Sequence, residues 1–172
     1  SGSWLSLSPD TNGRIMIPSD ILDMLNEQLT METQACHIYR AMAQYFNQAN
    51  LPGMETFMLA SSNEEQGHAD KIAKFIGDRG DKAFFAEIQE VVTSDSPLEM
   101  FSQALLLEQS VTASLIAKWR TAQAMDPQTF IFLNWFVLEQ VEGEQMVESI
   151  IDRFGYAQNI HLVDEWVGNL VK

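Results

Sequence analysis

Five side chains stand where their types are conspicuous: Glu32, Glu65, His68, Glu108 and Gln140. Each interrupts a series of mostly apolar residues recurring at steps of three and four, the spacing of one helix face. Glu65 and His68 are three apart, so their side chains meet on one face. A carboxylate is almost never fully buried without a partner, and an unpaired one costs several kcal/mol. No lysine or arginine falls on the same series to balance the acids. A bound multivalent cation would neutralise three glutamates around one histidine and use their oxygen lone pairs. Hard oxygen donors with a single imidazole suit iron, manganese or zinc, and without paired thiolates an iron–sulfur cluster or zinc–thiolate site is disfavoured. A lone histidine on an apolar face is more often a satisfied core residue, and a lone glutamate more often marks a wrong register. Neither explains four helices interrupted at matching depth.

The elements that must carry these residues follow from the same periodicity. A first helix is expected from about Ser19 to Phe46, with Pro18-Ser19-Asp20 supplying its N-cap. Its stripe is Leu22, Leu25, Leu29, Glu32, Cys36, Tyr39, Ala43 and Phe46. Asn50-Leu51-Pro52-Gly53 is a short turn, so a second helix, about Met54 to Gly77, returns antiparallel. Phe57, Ser61, Glu65, His68, Ile72 and Phe75 form its stripe. A connection of roughly Asp78 to Asp95, carrying Phe84, Phe85 and Ile88, is long enough to travel the length of a bundle. The third helix opens at Ser96-Pro97-Leu98-Glu99, which reads as a capping box, and its stripe is Phe101, Leu105, Glu108, Thr112, Leu115, Trp119 and Ala122. Asp126-Pro127 reads as the cap of a fourth helix, with Thr129, Leu133, Phe136, Gln140, Gly143, Val147, Ile150 and Phe154 on its stripe. A short fifth helix is expected from about Ile160 to Val171. The expected fold is an all-α four-helix bundle with one long crossover between the second and third helices. The chain reads as one domain over 1–172: an extension (1–17), the bundle (18–155) and the fifth helix (156–172). Ser1-Gly2-Ser3 reads as a tag remnant.

The chain carries 24 acidic against 10 basic residues, a formal net charge of -14. That balance opposes binding to nucleic acid or an anionic membrane and attracts cations. No apolar run approaches the roughly 20 residues that cross a bilayer, and no secretion signal opens the sequence. The one cysteine, Cys36, excludes an intrachain disulfide and fits a reducing, cytoplasmic setting. It reads as a small buried helix residue.

With these residues in view, the chain resembles non-haem ferritins, most closely the bacterial type. The resemblance rests on Leu25-Asn26-Glu27-Gln28 leading to Glu32, on Asn63-Glu64-Glu65-Gln66-Gly67-His68, on Leu107-Glu108-Gln109, and on the run Phe132 to Gln140. It covers about Pro18 to Phe154 and implies a ferroxidase centre with two iron positions. By motif position, Glu32 and His68 would ligate the first iron, Glu65 would bridge both, and Glu108 would serve the second. Gln140 would hydrogen-bond beside them, and Tyr39 matches the family's tyrosine next to the centre. Glu64, Glu139 and Glu142 match residues that contribute a third, accessory iron position in several bacterial members.

Two departures stand out. Bacterial members often place a glutamate three residues after the glutamine, where this chain has Gly143, so the second iron loses a ligand. Phe130 and Leu133 fall near the positions that line acidic three-fold channels in animal and plant ferritins, which puts that entry route in doubt. A haem-binding relative would carry methionine where Gln66 stands, and a second Glu-x-x-His on the fourth helix, which has no histidine. No haem is therefore expected. The resemblance implies a homo-oligomeric cage of 24 subunits that oxidises Fe(II) with O2 or H2O2 and stores ferric mineral. The rivals are a di-iron oxidase or peroxide-consuming protein without storage, and a metal-free scaffold bundle.

Overall fold

Five helices account for most of the chain in a computed structural model that describes residues 9–172; the Ser1-Gly2-Ser3 reading lies outside the described residues. They are α1 (Ser19–Gln48), α2 (Pro52–Asp78), α3 (Pro97–Met125), α4 (Pro127–Tyr156) and α5 (Ile160–Asn169). Among the described residues there is no β-strand, only an isolated bridge between Pro9 and Ile15. No described helix is long and apolar enough to cross a membrane.

Helix direction follows from which ends share a core. One apolar cluster joins Tyr39–Phe46 of α1, Met54–Met58 of α2, Met100–Ala104 of α3, Val147 and Ile150 of α4, and Val163 and Val167 of α5. The other joins Ile21–Leu29 of α1, Ala69–Ile76 of α2, Val111–Ala122 of α3, and Leu133 and Phe136 of α4. The late part of α1 thus meets the early part of α2 and α3 and the late part of α4. Hence α2 and α3 run parallel, both opposed to α1 and α4, as the long connection requires.

The crossover, residues 79–96, is laid along α1 by side chains of that helix. Asn26 Oδ1 accepts from Phe84 N (2.7 Å), Gln34 exchanges two hydrogen bonds with the backbone of Gln89, and Tyr45 OH donates to Asp95 O (2.8 Å). These anchors run from Asn26 to Tyr45, 19 residue steps along α1 and about 28 Å at the helical rise.

The helices begin where expected, but their caps differ. Neither Ser19, Ser96 nor Asp126 makes a side-chain cap; Pro18, with φ fixed near its ring value, is the N-cap of α1. Ser94 replaces Ser96 as the partner of Glu99. The Asp126 carboxylate is taken by Arg79 in a buried two-pronged ion pair (2.7 and 3.2 Å) and by Thr129 Oγ1, a stronger set of donors than one backbone N–H. Arg79 also donates to Ile15 O, so it ties the N-terminal segment to the α3–α4 turn.

Some expected core positions shift, while Leu133 keeps its place on the α4 stripe. Cys36 is only half-buried, on the α1–α2 seam beside Ser62 Oγ (3.3 Å), while Ala35 takes the interior. Lys118, not Trp119, is the buried residue of that α3 turn, so a basic side chain does enter the interior. Leu133 is fully buried in its own bundle and cannot line a channel.

Candidate metal centre

Glu32, Glu65, Glu108 and Gln140 belong to neither apolar cluster; they form the polar layer between the two. Each is buried because its helix keeps an apolar stripe on both sides of it, and the packing of those stripes draws the polar residue in. Glu32 of α1, with Glu65 and His68 of α2, offer ligand atoms that all lie within 4.8 Å of one another. Among the described residues this is the one such trio of histidine, cysteine or acidic side chains. His68 Nδ1 stands 3.2 Å from Glu65 Oε2 and 3.6 Å from Glu32 Oε2. Its ring is held edgewise by Trp135 and Phe136, at 5.4 and 5.7 Å between centroids.

Across the layer, Glu108 Oε1 accepts from Tyr39 OH and Oε2 accepts from Gln140 Nε2 (3.0 Å). Gln140 Nε2 also faces Glu108 O and Thr112 Oγ1, both at 3.1 Å. Tyr39, Glu65, His68, Glu108 and Gln140 line one cavity of about 350 Å³. Gly143 lines it too, and a Cβ there would come within 3.3 Å of Glu108 Oε2. The missing side chain therefore leaves room directly beside that carboxylate.

The protonation of the cluster reflects crowded acids. Burial pushes Glu65 up to about 9, with the neighbouring Glu32 adding to it and His68 opposing. Burial opposes the charge on His68, but the close carboxylates of Glu32 and Glu65 outweigh it and carry the imidazole up to about 10. Burial likewise raises Glu32, yet contacts with Glu65, His68 and Gln28 prevail and hold it below its ordinary value. Glu108 is raised by burial against the help of Tyr39 and Gln140, and Tyr39 is raised well above its ordinary value by burial and by the Glu108 charge. Protons thus occupy the place a cation would take.

The donor set fits a metal on a further count. Glu32 Oε2 is buried with no hydrogen-bond donor, and His68 Nδ1 is too far to be one. A buried orphan oxygen beside two more potential ligands is satisfied by a shared proton or by a cation.

All six residues expected at the centre, Glu32, Tyr39, Glu65, His68, Glu108 and Gln140, lie in this layer. Glu64, Glu139 and Glu142 line the same cavity, with Glu64 and Glu142 exposed and Glu139 half-buried, but they do not converge as a ligand trio. Burial, followed by the charges of Glu108, Glu139 and Glu142, raises Glu64, while His68 lowers it. Gln28, Ser114 and Lys118 reach the layer from the α1–α3 side and were not singled out by periodicity. Gln28, four residues before Glu32, was the one readable signal among them.

The fold and this layer define a class: a four-helix bundle with carboxylate and imidazole side chains gathered at mid-height. A family model described as a ferritin-like domain matches residues 22–155. The bacterial non-heme ferritin of Staphylococcus haemolyticus is 40% identical over 139 residues, covering 80% of this chain and 84% of that protein. The open pore ferritin of the hyperthermophilic archaeon Archaeoglobus fulgidus superposes with a TM-score of 0.84 at 28% identity, covering 88% of this chain and 96% of that one. The Chlorobium tepidum ferritin superposes at 0.77 with 30% identity, covering 80% and 85%. The chain belongs to the ferritin family.

Proposed function

We propose that this chain is a subunit of an iron-storage ferritin that oxidises Fe(II) at the polar layer and deposits ferric mineral inside a cage of 24 copies. The cytoplasm is its proposed setting. The observation that carries the reading is the convergence of Glu32, Glu65 and His68 around an orphaned buried oxygen, with Glu108 across a shared cavity. Iron is substrate and cargo here, and no haem is involved.

Glu32 and His68 would hold the first Fe(II), Glu65 would reach both ions, and Glu108 would hold the second. Entering cations displace the protons that Glu65 and His68 carry, so the layer exchanges proton charge for metal charge. Each Fe(II) gives up one electron, and a pair reduces O2 to H2O2, or H2O2 to water, with two protons taken up. Carboxylates favour Fe(III) over Fe(II) because oxygen donors compensate the added charge. Tyr39 and Gln140 hold both oxygens of Glu108 and fix its direction, as partners of metal ligands do. Glu64, Glu139 and Glu142 are proposed to serve an accessory iron position or the path out to it.

Stopped-flow absorbance after aerobic Fe(II) addition tests the centre. Glu65→Ala removes the shared ligand while leaving its stripe apolar, and the expected result is a retained fold with rapid oxidation lowered at least a hundredfold. An unchanged fast phase would overturn the assignment. Iron retained far beyond two atoms per chain separates storage from an oxidase that only turns over.

A further inference from the structure

Among the described residues, Lys118 is the one lysine or arginine carried into the polar interior beside the candidate centre, and the ligand assignment does not use it. Its side chain is 7% exposed, whereas that of its acidic partner Glu27 is 68% exposed. A solvent-screened partner compensates poorly for the desolvation of an ammonium group. The remaining contacts of Lys118 Nζ explain its position: Gln28 Oε1 at 3.1 Å, Ser114 Oγ at 2.5 Å and the weaker acceptor Met31 Sδ at 3.8 Å. Ser114 Oγ in turn donates to Gln28 Oε1 (3.2 Å).

An ammonium has three donors and no acceptor, so the Gln28 atom facing it must be the amide oxygen. The amide NH2 is then forced to the other side, where it donates to Glu32 Oε1 at 2.9 Å. Gln28 is fully buried, so bulk solvent does not compete for that orientation. With Oε1 engaged, the oxygen of Glu32 left free is the orphaned Oε2, which faces His68 and Glu65. A reversed amide would set oxygen against oxygen and turn the carboxylate away.

We propose that Lys118 is a positioning residue for the metal centre: acting through Gln28, it presents Glu32 Oε2 to the first metal ion. The inference rests on the ferroxidase reading, and one experiment separates the two. Anaerobic titration of the assembled, iron-free protein with Co(II), followed by calorimetry and visible absorbance, measures stepwise binding without turnover. The wild type should bind two Co(II) per chain. Lys118→Met keeps the length of the side chain and removes its donors; the first binding step should weaken by about tenfold or more, the usual effect of losing the partner of a metal ligand. Its melting temperature without metal should stay within a few degrees of wild type, which a merely structural lysine would not allow. Gln28→Leu should reproduce the loss, and the double variant should be no weaker than either single one, since both cut the same chain. Lys118→Arg, with donors restored, should recover most of the affinity.

A wild type that binds no Co(II) would refute the metal centre itself. A wild type that binds while Lys118→Met binds equally well would refute the relay and leave the centre standing. If Lys118→Met does not assemble, Gln28→Leu, which leaves Lys118 its bonds to Glu27 and Ser114, decides by the same measurement.

Discussion

At the scale of single residues, the layer between the two apolar clusters is defined by crowded acids around one imidazole, in which burial favours a proton on Glu65. The fold pushes His68 up from an ordinary 6.5 to about 10, and Glu65 up from 4.5 to about 9. Both bind protons more tightly folded than unfolded, so in the metal-free protein their stabilising contribution falls away as pH rises. The window runs from 6.5 to about 10 for His68 and from 4.5 to about 9 for Glu65. Glu32 has the opposite sign, being lowered, and its contribution is lost only as pH falls below 4.5. Metal-free protein is therefore expected to melt lower as pH is raised from 6.5 to 9. The fall should reach several degrees, since 1 kcal/mol shifts the midpoint by about 2–4 °C at this chain length. Saturating Co(II) should flatten the curve, because a cation takes over from the protons. Scanning calorimetry across that range checks it, and a flat metal-free profile would contradict the protonation derived from the geometry. The residues of the layer were readable because each breaks an apolar stripe. Lys118 was not, since it lies one position off the stripe through Trp119 and its long side chain bends inward to Gln28. Spacing alone could not decide Glu64, Glu139 and Glu142, because acids on an outer helix face look the same whether solvated or turned toward a cavity.

At the scale of elements, the order of helices and the parallel placement of α2 and α3 were legible from one connection too long to be a turn. The docking of α5 was not, because it depends on a single acid among many. Asp164 is buried and accepts from the backbone of Gly53 and Met54 (3.1 and 2.8 Å), two otherwise unpaired donors at the start of α2. Negative charge at a helix N-terminus is favourable, so α5 supplies from a distance the cap that Leu51 cannot. Gly53 is required for this approach: a Cβ on it would lie 1.9 Å from Asp164 O. Asp164→Ala should cost about 1–2 kcal/mol. Gly53→Ala should cost more, because the obstacle is backbone. In both, amide hydrogen exchange should accelerate along α5 and the first turn of α2 while the cluster around Ile21, Ile72 and Leu115 stays protected. Protection of α5 unchanged in Asp164→Ala would show that Val163 and Val167 hold it without the cap.

At the scale of the whole molecule, two features belong together: a net charge of -14 and an uncovered apolar stripe on α4. Ile131, Leu138 and Val141 are each about two-thirds exposed and spaced seven and three apart, so they share one outward face of the helix. Burial in the bundle cannot explain them, since Leu133, Phe136 and Val147 already face the core. Contact with further copies in the proposed cage does, and it also explains how so acidic a chain would assemble, by apolar contact outweighing a repulsion that salt screens. The candidate centre draws its residues from α1 to α4 of one chain, so it should not need the cage to bind and oxidise its first iron. Leu138→Glu places a charge on the apolar face without touching the polar layer. Sedimentation velocity should then show particles far smaller than wild type, with the fast oxidation of the first two Fe(II) per chain kept within about twofold and long-term iron retention lost as ferric precipitate. If Leu138→Glu assembles and stores iron like wild type, the stripe is not an assembly contact. If small particles also lose the fast phase, the centre depends on a neighbour and is not complete within one bundle.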